Sequence, residues 1–106
     1  MGRKRRLAQV TGHEPATLLG KTPARELDLH GVHSDQAERL IKNLLMTAAR
    51  TGPGRVVRIV TGKGNRSAEG PVLMPLVRRM LETTLATYVA EFTVDRDGGS
   101  YLVRVK

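Results

Sequence analysis

Two periods organise the hydrophobic and polar positions of this chain. Leu27 and Leu29 alternate with Asp28 and His30, which predicts a strand over Glu26–His30 with its two polar side chains on one face. Gly31 lets the chain turn. Ser34 follows as an expected helix N-cap, with Asp35 in the first turn where the helix dipole favours an anion. Ala37, Leu40, Ile41, Leu44, Leu45 and Ala48 then recur at helical spacing, and Gly52-Pro53-Gly54 stops the helix. Val56-Val57-Arg58-Ile59-Val60 is β-branched and almost continuous, as in a strand covered on nearly both faces.

A second apolar stripe, Leu73, Leu76, Val77, Met80 and Leu81, predicts a second helix. Pro75 deep inside it would cost about 3 kcal/mol, so the regular helix should begin near Val72 to Met74, leaving Pro75 in the first turn. Tyr88, Ala90, Phe92 and Val94 alternate as a third strand, Asp97-Gly98-Gly99 turns it, and Tyr101, Val103 and Val105 alternate as a fourth. The order βαβαββ predicts an α/β fold of the two-layer α+β sandwich type, two helices on a small mixed four-stranded sheet. A strand–helix–strand unit with short loops makes a right-handed parallel crossover, so both strands end on one edge of the sheet, where open α/β sheets bind ligands.

Residues 1–24 hold no sustained period and contain Gly12, Pro15, Gly20 and Pro23, so they read as a basic arm or linker before a domain over residues 25–106. Within that arm, Ala16-Thr17-Leu18-Leu19 is apolar enough to dock on the domain. The 106 residues suffice for one core. Without cysteine, disulfides and thiolate metal sites are excluded. No apolar run approaches membrane-spanning length, and no apolar stretch follows Arg3-Lys4-Arg5-Arg6 as a secretory signal requires, so a cytoplasmic location and no membrane partner are expected.

Charge changes the picture more than composition does. The net charge is +8, and residues 39–79 hold nine basic side chains against one acid, Glu69. A fold that fixes such an excess in space attracts polyanions, chiefly nucleic acid. One phenylalanine, two tyrosines and no tryptophan offer no base-stacking platform, so affinity must come from phosphate contacts. The arm's Arg3 to Arg6 would add salt-dependent affinity or merely solubility.

Two segments at the shared strand edge carry chemistry. In Leu27-Asp28-Leu29-His30-Gly31, a carboxylate beside an imidazole can fix its tautomer, and a histidine so held can take or give a proton; the plainer reading is that Asp28 caps a turn and His30 fills space. Thr61-Gly62-Lys63-Gly64 is too short for a nucleotide P-loop, yet paired glycines let backbone amides converge on an anion, and Lys63, Arg66 and Ser67 add polar groups; alone it would be an ordinary turn with a solvated lysine. Together they suit phosphodiester chemistry. His33 with Asp28 and His30 would make a partial metal site lacking a further ligand, and no metal site is expected. His13 reads as solvated; Arg78 and Arg79 read as the wet face of the second helix or, alternatively, as a phosphate contact.

These segments in this order resemble the Smr (small MutS-related) domain. The resemblance covers roughly residues 25–106 and rests on Leu27–Gly31, Ile59–Gly64, Ser67 with Gly70-Pro71-Val72-Leu73, and Gly98-Gly99. It implies a βαβαββ sandwich similar to the C-terminal domain of a bacterial translation initiation factor, found alone or at the C-terminus of MutS-like and RNA-binding repeat proteins. It implies endonuclease activity, DNA nicking or RNA cleavage, in some members on stalled ribosomes. Asp28 and His30 would serve cleavage, and Gly31, Thr61, Gly62, Lys63, Gly64, Arg66 and Ser67 would hold the phosphate. The alternative is a non-catalytic module that grips branched DNA or structured or ribosomal RNA. No cofactor is required by this reading, with Mg²⁺ left open. Two departures stand out: Met80-Leu81 replaces a tryptophan–leucine pair as a core substitution, and Ser100-Tyr101 follows Gly99 where glycines usually continue, so that Tyr101 would alter a groove lined by that loop.

Overall fold

The computed structural model describes residues 18–19, 21–62, 72–96 and 98–106. Along them run β1 (Arg25–Asp28), α1 (Ser34–Thr51), β2 (Val56–Val60), α2 (Leu73–Glu82), a 3₁₀ turn (Ala86–Tyr88), β3 (Val89–Val94) and β4 (Ser100–Val105). The βαβαββ order is the one the pattern predicts. The sheet order is β1-β2-β4-β3, with β1 parallel to β2 and the other pairs antiparallel.

Both helices cover one face of the sheet. Ala37, Ile41, Leu45 and Ala48 of α1 and Leu73, Val77, Met80 and Leu81 of α2 close over Val57, Ile59, Tyr101, Val103 and Val105. Met80 and Leu81 are thus core residues, as the substitution of a bulkier pair requires. Pro75 sits in the first turn of α2, where its missing N–H leaves no helical bond unmade; the first such bond runs from the Leu76 N–H to the Val72 carbonyl.

The open face of the sheet is a charged ladder. Arg58 pairs with Glu26 and, at 3.2 Å, with Asp95, and its Nε also reaches the Ser100 hydroxyl. Arg104 pairs with Glu91 at 2.8 Å. One apolar patch interrupts the ladder: Leu18, fully buried, packs on Val56 and Leu102. This is why β2 carries apolar residues on both faces. Leu18, in the stretch read as apolar enough to dock, thus rests on the sheet.

Three expectations are corrected. The N-cap of α1 is His33, and Ser34 is already helical; His33 has the extended backbone of a cap residue, φ −67° and ψ 151°. The alternation of the third strand breaks at Ala90, because a bulge lets Val89 pair with Val105 and Glu91 with Arg104. Val89 and Phe92 pack on the core while Ala90 is exposed, and Tyr88 belongs to the 3₁₀ turn. Tyr101 faces the core and lines no groove: its ring meets Phe92 edge-on at 5.9 Å, and its hydroxyl donates to the Met74 carbonyl at 3.0 Å.

Candidate functional site

The parallel pairing of β1 with β2 puts Asp28 opposite Val60 and delivers both strand ends to one edge. Antiparallel β4 begins at that edge and β3 ends there, so Gly98 and Gly99 join it. Both helices start from the same edge, and neither N-cap side chain caps the first-turn amides, which add positive potential there.

The expected first strand ends two residues early, at Asp28. Leu29 still donates to the Val60 carbonyl at 2.7 Å, and the chain then turns, Val32 donating to the Leu29 carbonyl at 2.9 Å. Gly31 occupies the third position of this turn with φ +79°, a conformation open to glycine at little cost. His30, exposed at the turn's second position, is aimed by its main chain. The Asp28 carboxylate accepts the His30 backbone N–H at 2.9 Å. This contact fixes where the histidine stands; it is made to the backbone, where a carboxylate–imidazole pairing was expected.

Across the edge, Gly62 carries φ +75°. A Cβ built there would lie 3.2 Å from His30 Cδ2, so the imidazole edge rests directly over the Gly62 backbone. The structure thereby brings together the two segments that sequence reasoning paired. Gly62 is itself clasped from behind. The Gly99 carbonyl accepts the N–H groups of Thr61 at 2.9 Å and Gly62 at 3.0 Å, and the buried Thr61 hydroxyl at 3.2 Å. A Cβ on Gly99 would meet the Gly62 carbonyl carbon at 3.2 Å. Gly99 is the site residue whose part sequence reasoning missed. Consecutive glycines were its signal: Gly98 supplies the positive φ of the turn, +75°, which leaves Gly99 with a packing role.

Lys63, Gly64, Arg66 and Ser67 lie outside the described residues. Among the described residues, no group of three or more His, Asp or Glu side chains comes together as a metal site would require, so Asp28, His30 and His33 form no ligand set. Of the basic excess over residues 39–79, Arg58 is spent on the ion pairs of the open face and Arg78 pairs with Glu82 at 3.4 Å. Arg39, Lys42 and Arg50 project from the exposed side of α1, opposite its buried row.

The family model of the Smr domain matches residues 27–105. The chain belongs to the Smr domain family. It is 33% identical over 72 residues to a Smr domain-containing protein of Schizosaccharomyces pombe, an alignment that covers 67% of this chain and 34% of that relative. The chain thus matches about a third of the length of the curated relative. No solved structure matches it. Among the described residues of the Smr domain, no helix is long and apolar enough to cross a membrane. The family match opens at Leu27, downstream of the docked Leu18.

Proposed function

We propose that this Smr domain is an endonuclease that cleaves phosphodiester bonds in DNA or RNA. The observation that carries the reading is the seat of the His30 ring against Gly62, with both residues held by their main chains. A proton-transferring imidazole beside a glycine turn at the mouth of two helix N-termini suits a phosphate whose charge grows during reaction. On RNA, the 2′-hydroxyl gives its proton to His30 and attacks phosphorus. The bond from phosphorus to the 5′ oxygen breaks, leaving a 2′,3′-cyclic phosphate, and the departing oxygen takes a proton from water. On DNA, an activated water replaces the hydroxyl. Asp28 positions His30 through the backbone. Gly31, Thr61 and Gly62 shape the floor, and Lys63, Gly64, Arg66 and Ser67 take the phosphate-holding role that their place in the sequence suits. The cytoplasm, with the ribosome among its RNA targets, is the setting that fits such an activity.

The test is cleavage of supercoiled DNA and of structured RNA, with Mg²⁺ or with chelator, by the native protein and by His30→Ala. Cleavage that disappears in the variant while binding persists supports the nuclease. The bond from the His30 backbone N–H to Asp28 favours a second reading, a non-catalytic clamp, because a carboxylate used as a turn cap need not serve an imidazole. For the clamp, neither protein cleaves, and His30→Ala weakens binding.

A further inference from the structure

At the sheet edge opposite His30, a cleft of about 320 Å³ opens between the end of α1 and the first residues of β1 and β2. Ala24, Ala48 and Val57 form its floor, and Thr51, Gly52, Arg25 and Arg55 form its walls. Its size sits at the low end of small-ligand sites, roughly 300–1,000 Å³. Both arginines are exposed, and neither has an ion pair among the described residues. The nearest carboxylate along the chain, Glu26, lies on the other face of the sheet and is held by Arg58.

The cleft is built around Arg55. Its backbone N–H donates to the Gly52 carbonyl at 3.1 Å and its carbonyl accepts the Val105 N–H at 3.0 Å, so the turn is tied to the last strand. Its side-chain stem lies across Gly52, where an added Cβ would meet Arg55 Cδ at 3.0 Å. Glycine at 52 is therefore what lets the guanidinium fold into the cleft. The negative end of the α1 dipole opposes an anion here by about half a charge, and two guanidinium groups outweigh it.

We infer that this cleft is a second phosphate-binding site, which holds the backbone of the same nucleic acid at a distance from the cleavage edge. The inference rests on the nucleic-acid reading above. Gly62 and Arg55 are separated by the length of β2, about 23 Å at 3.3 Å per residue. That spans about seven base-pair rises of a duplex. Between the two ends, the exposed Arg39, Lys42 and Arg50 of α1 outnumber the exposed Asp35 and Glu38 near its start. The open face carries Glu26, Asp28, Glu91 and Asp95 against Arg58 and Arg104 and repels the same ligand.

The test measures binding of labelled DNA and RNA hairpins across a salt series. Arg25→Gln with Arg55→Gln should reduce the slope of log affinity against log salt by about two, one for each lost phosphate contact. Gly52→Ala keeps every charge; its φ of −148° does not demand glycine, while its ψ of 60° lies off the extended region and adds a small cost in stability. It displaces only the Arg55 stem and should weaken binding several-fold. Unchanged slope and affinity in both variants would overturn the cleft while leaving the nucleic-acid reading in place. If the native protein binds neither hairpin, that reading fails, and pyrophosphate decides the cleft: amide shifts at Thr51, Gly52 and Arg55 that vanish in the double variant support it, and their absence overturns it. Unaltered circular dichroism shows that the variants are folded; should the double variant not fold, Gly52→Ala carries the decision.

Discussion

Replacing Gly62 by alanine separates two effects that a single glycine combines. The first is backbone strain: an L-residue held at φ +75° costs roughly 1–2 kcal/mol. The second is contact: the new methyl would stand 3.2 Å from His30 Cδ2, closer than carbon atoms rest, so the imidazole must give by a few tenths of an ångström. Gly54 supplies the control, with φ +83° and nothing within 4 Å of an added Cβ. Gly54→Ala and Gly62→Ala should therefore lose similar stability, about 4–8 °C in melting temperature for each kcal/mol. Only Gly62→Ala should slow cleavage. A displacement of about 1 Å at a reacting group can cost on the order of 100-fold in rate, so a few tenths of an ångström should cost roughly severalfold. Single-turnover cleavage at saturating protein, at a temperature where both variants are folded, reads that difference without interference from affinity. Equal cleavage by the two variants would refute the reasoning, since the ring would then have been moved without consequence.

Three further outcomes are expected. Asp28→Asn should keep the cap on the His30 N–H through its amide oxygen and retain most cleavage, whereas Asp28→Ala should lose it; if both fail alike, the negative charge is what matters. Leu18→Ala should destabilise the domain by about 2–3 kcal/mol in urea unfolding, because it empties the fully buried patch on Val56 and Leu102. Tyr101→Phe should cost about 1 kcal/mol through its bond to Met74 without altering cleavage. Burial pushes the Tyr101 phenol above its ordinary value, with Arg78 partly opposing it. Above about pH 10 the unfolded chain sheds this proton before the folded one, so stability falls as pH rises there, and the phenylalanine variant should lose that fall in alkaline melting curves.

What was legible in the sequence was whatever depends on period. The helical spacing from Ala37 to Ala48, the β-branched run at Val56–Val60 and the place of Pro75 each follow from local geometry, and each stands where expected. The same holds for the shared strand edge, since handedness leaves a parallel crossover little choice. What was not legible depends on partners remote in the chain. The bulge at Ala90 is set by pairing with Val105 and Arg104, and no residue near Ala90 announces it. Leu18 is apolar but aperiodic, and only the patch on Val56 and Leu102 explains it. At the site, alternation placed Asp28 and His30 on one face but could not show that the strand ends between them. The turn at Gly31 substitutes a backbone bond for the side-chain pairing expected of two neighbours on a strand.

One carbonyl, that of Gly99, gathers Thr61 and Gly62 from 38 and 37 positions earlier in the chain. The strand that follows it, β4, is last in sequence yet occupies an interior place in the sheet, between β2 and β3. During synthesis, β1 and β2 can pair and bring His30 towards Gly62 well before the Gly99 carbonyl exists to clasp that turn from behind. Only when Ser100–Val105 inserts does the edge acquire its shape. A half-made chain carries every candidate residue but lacks the clasp that seats Gly62 under His30.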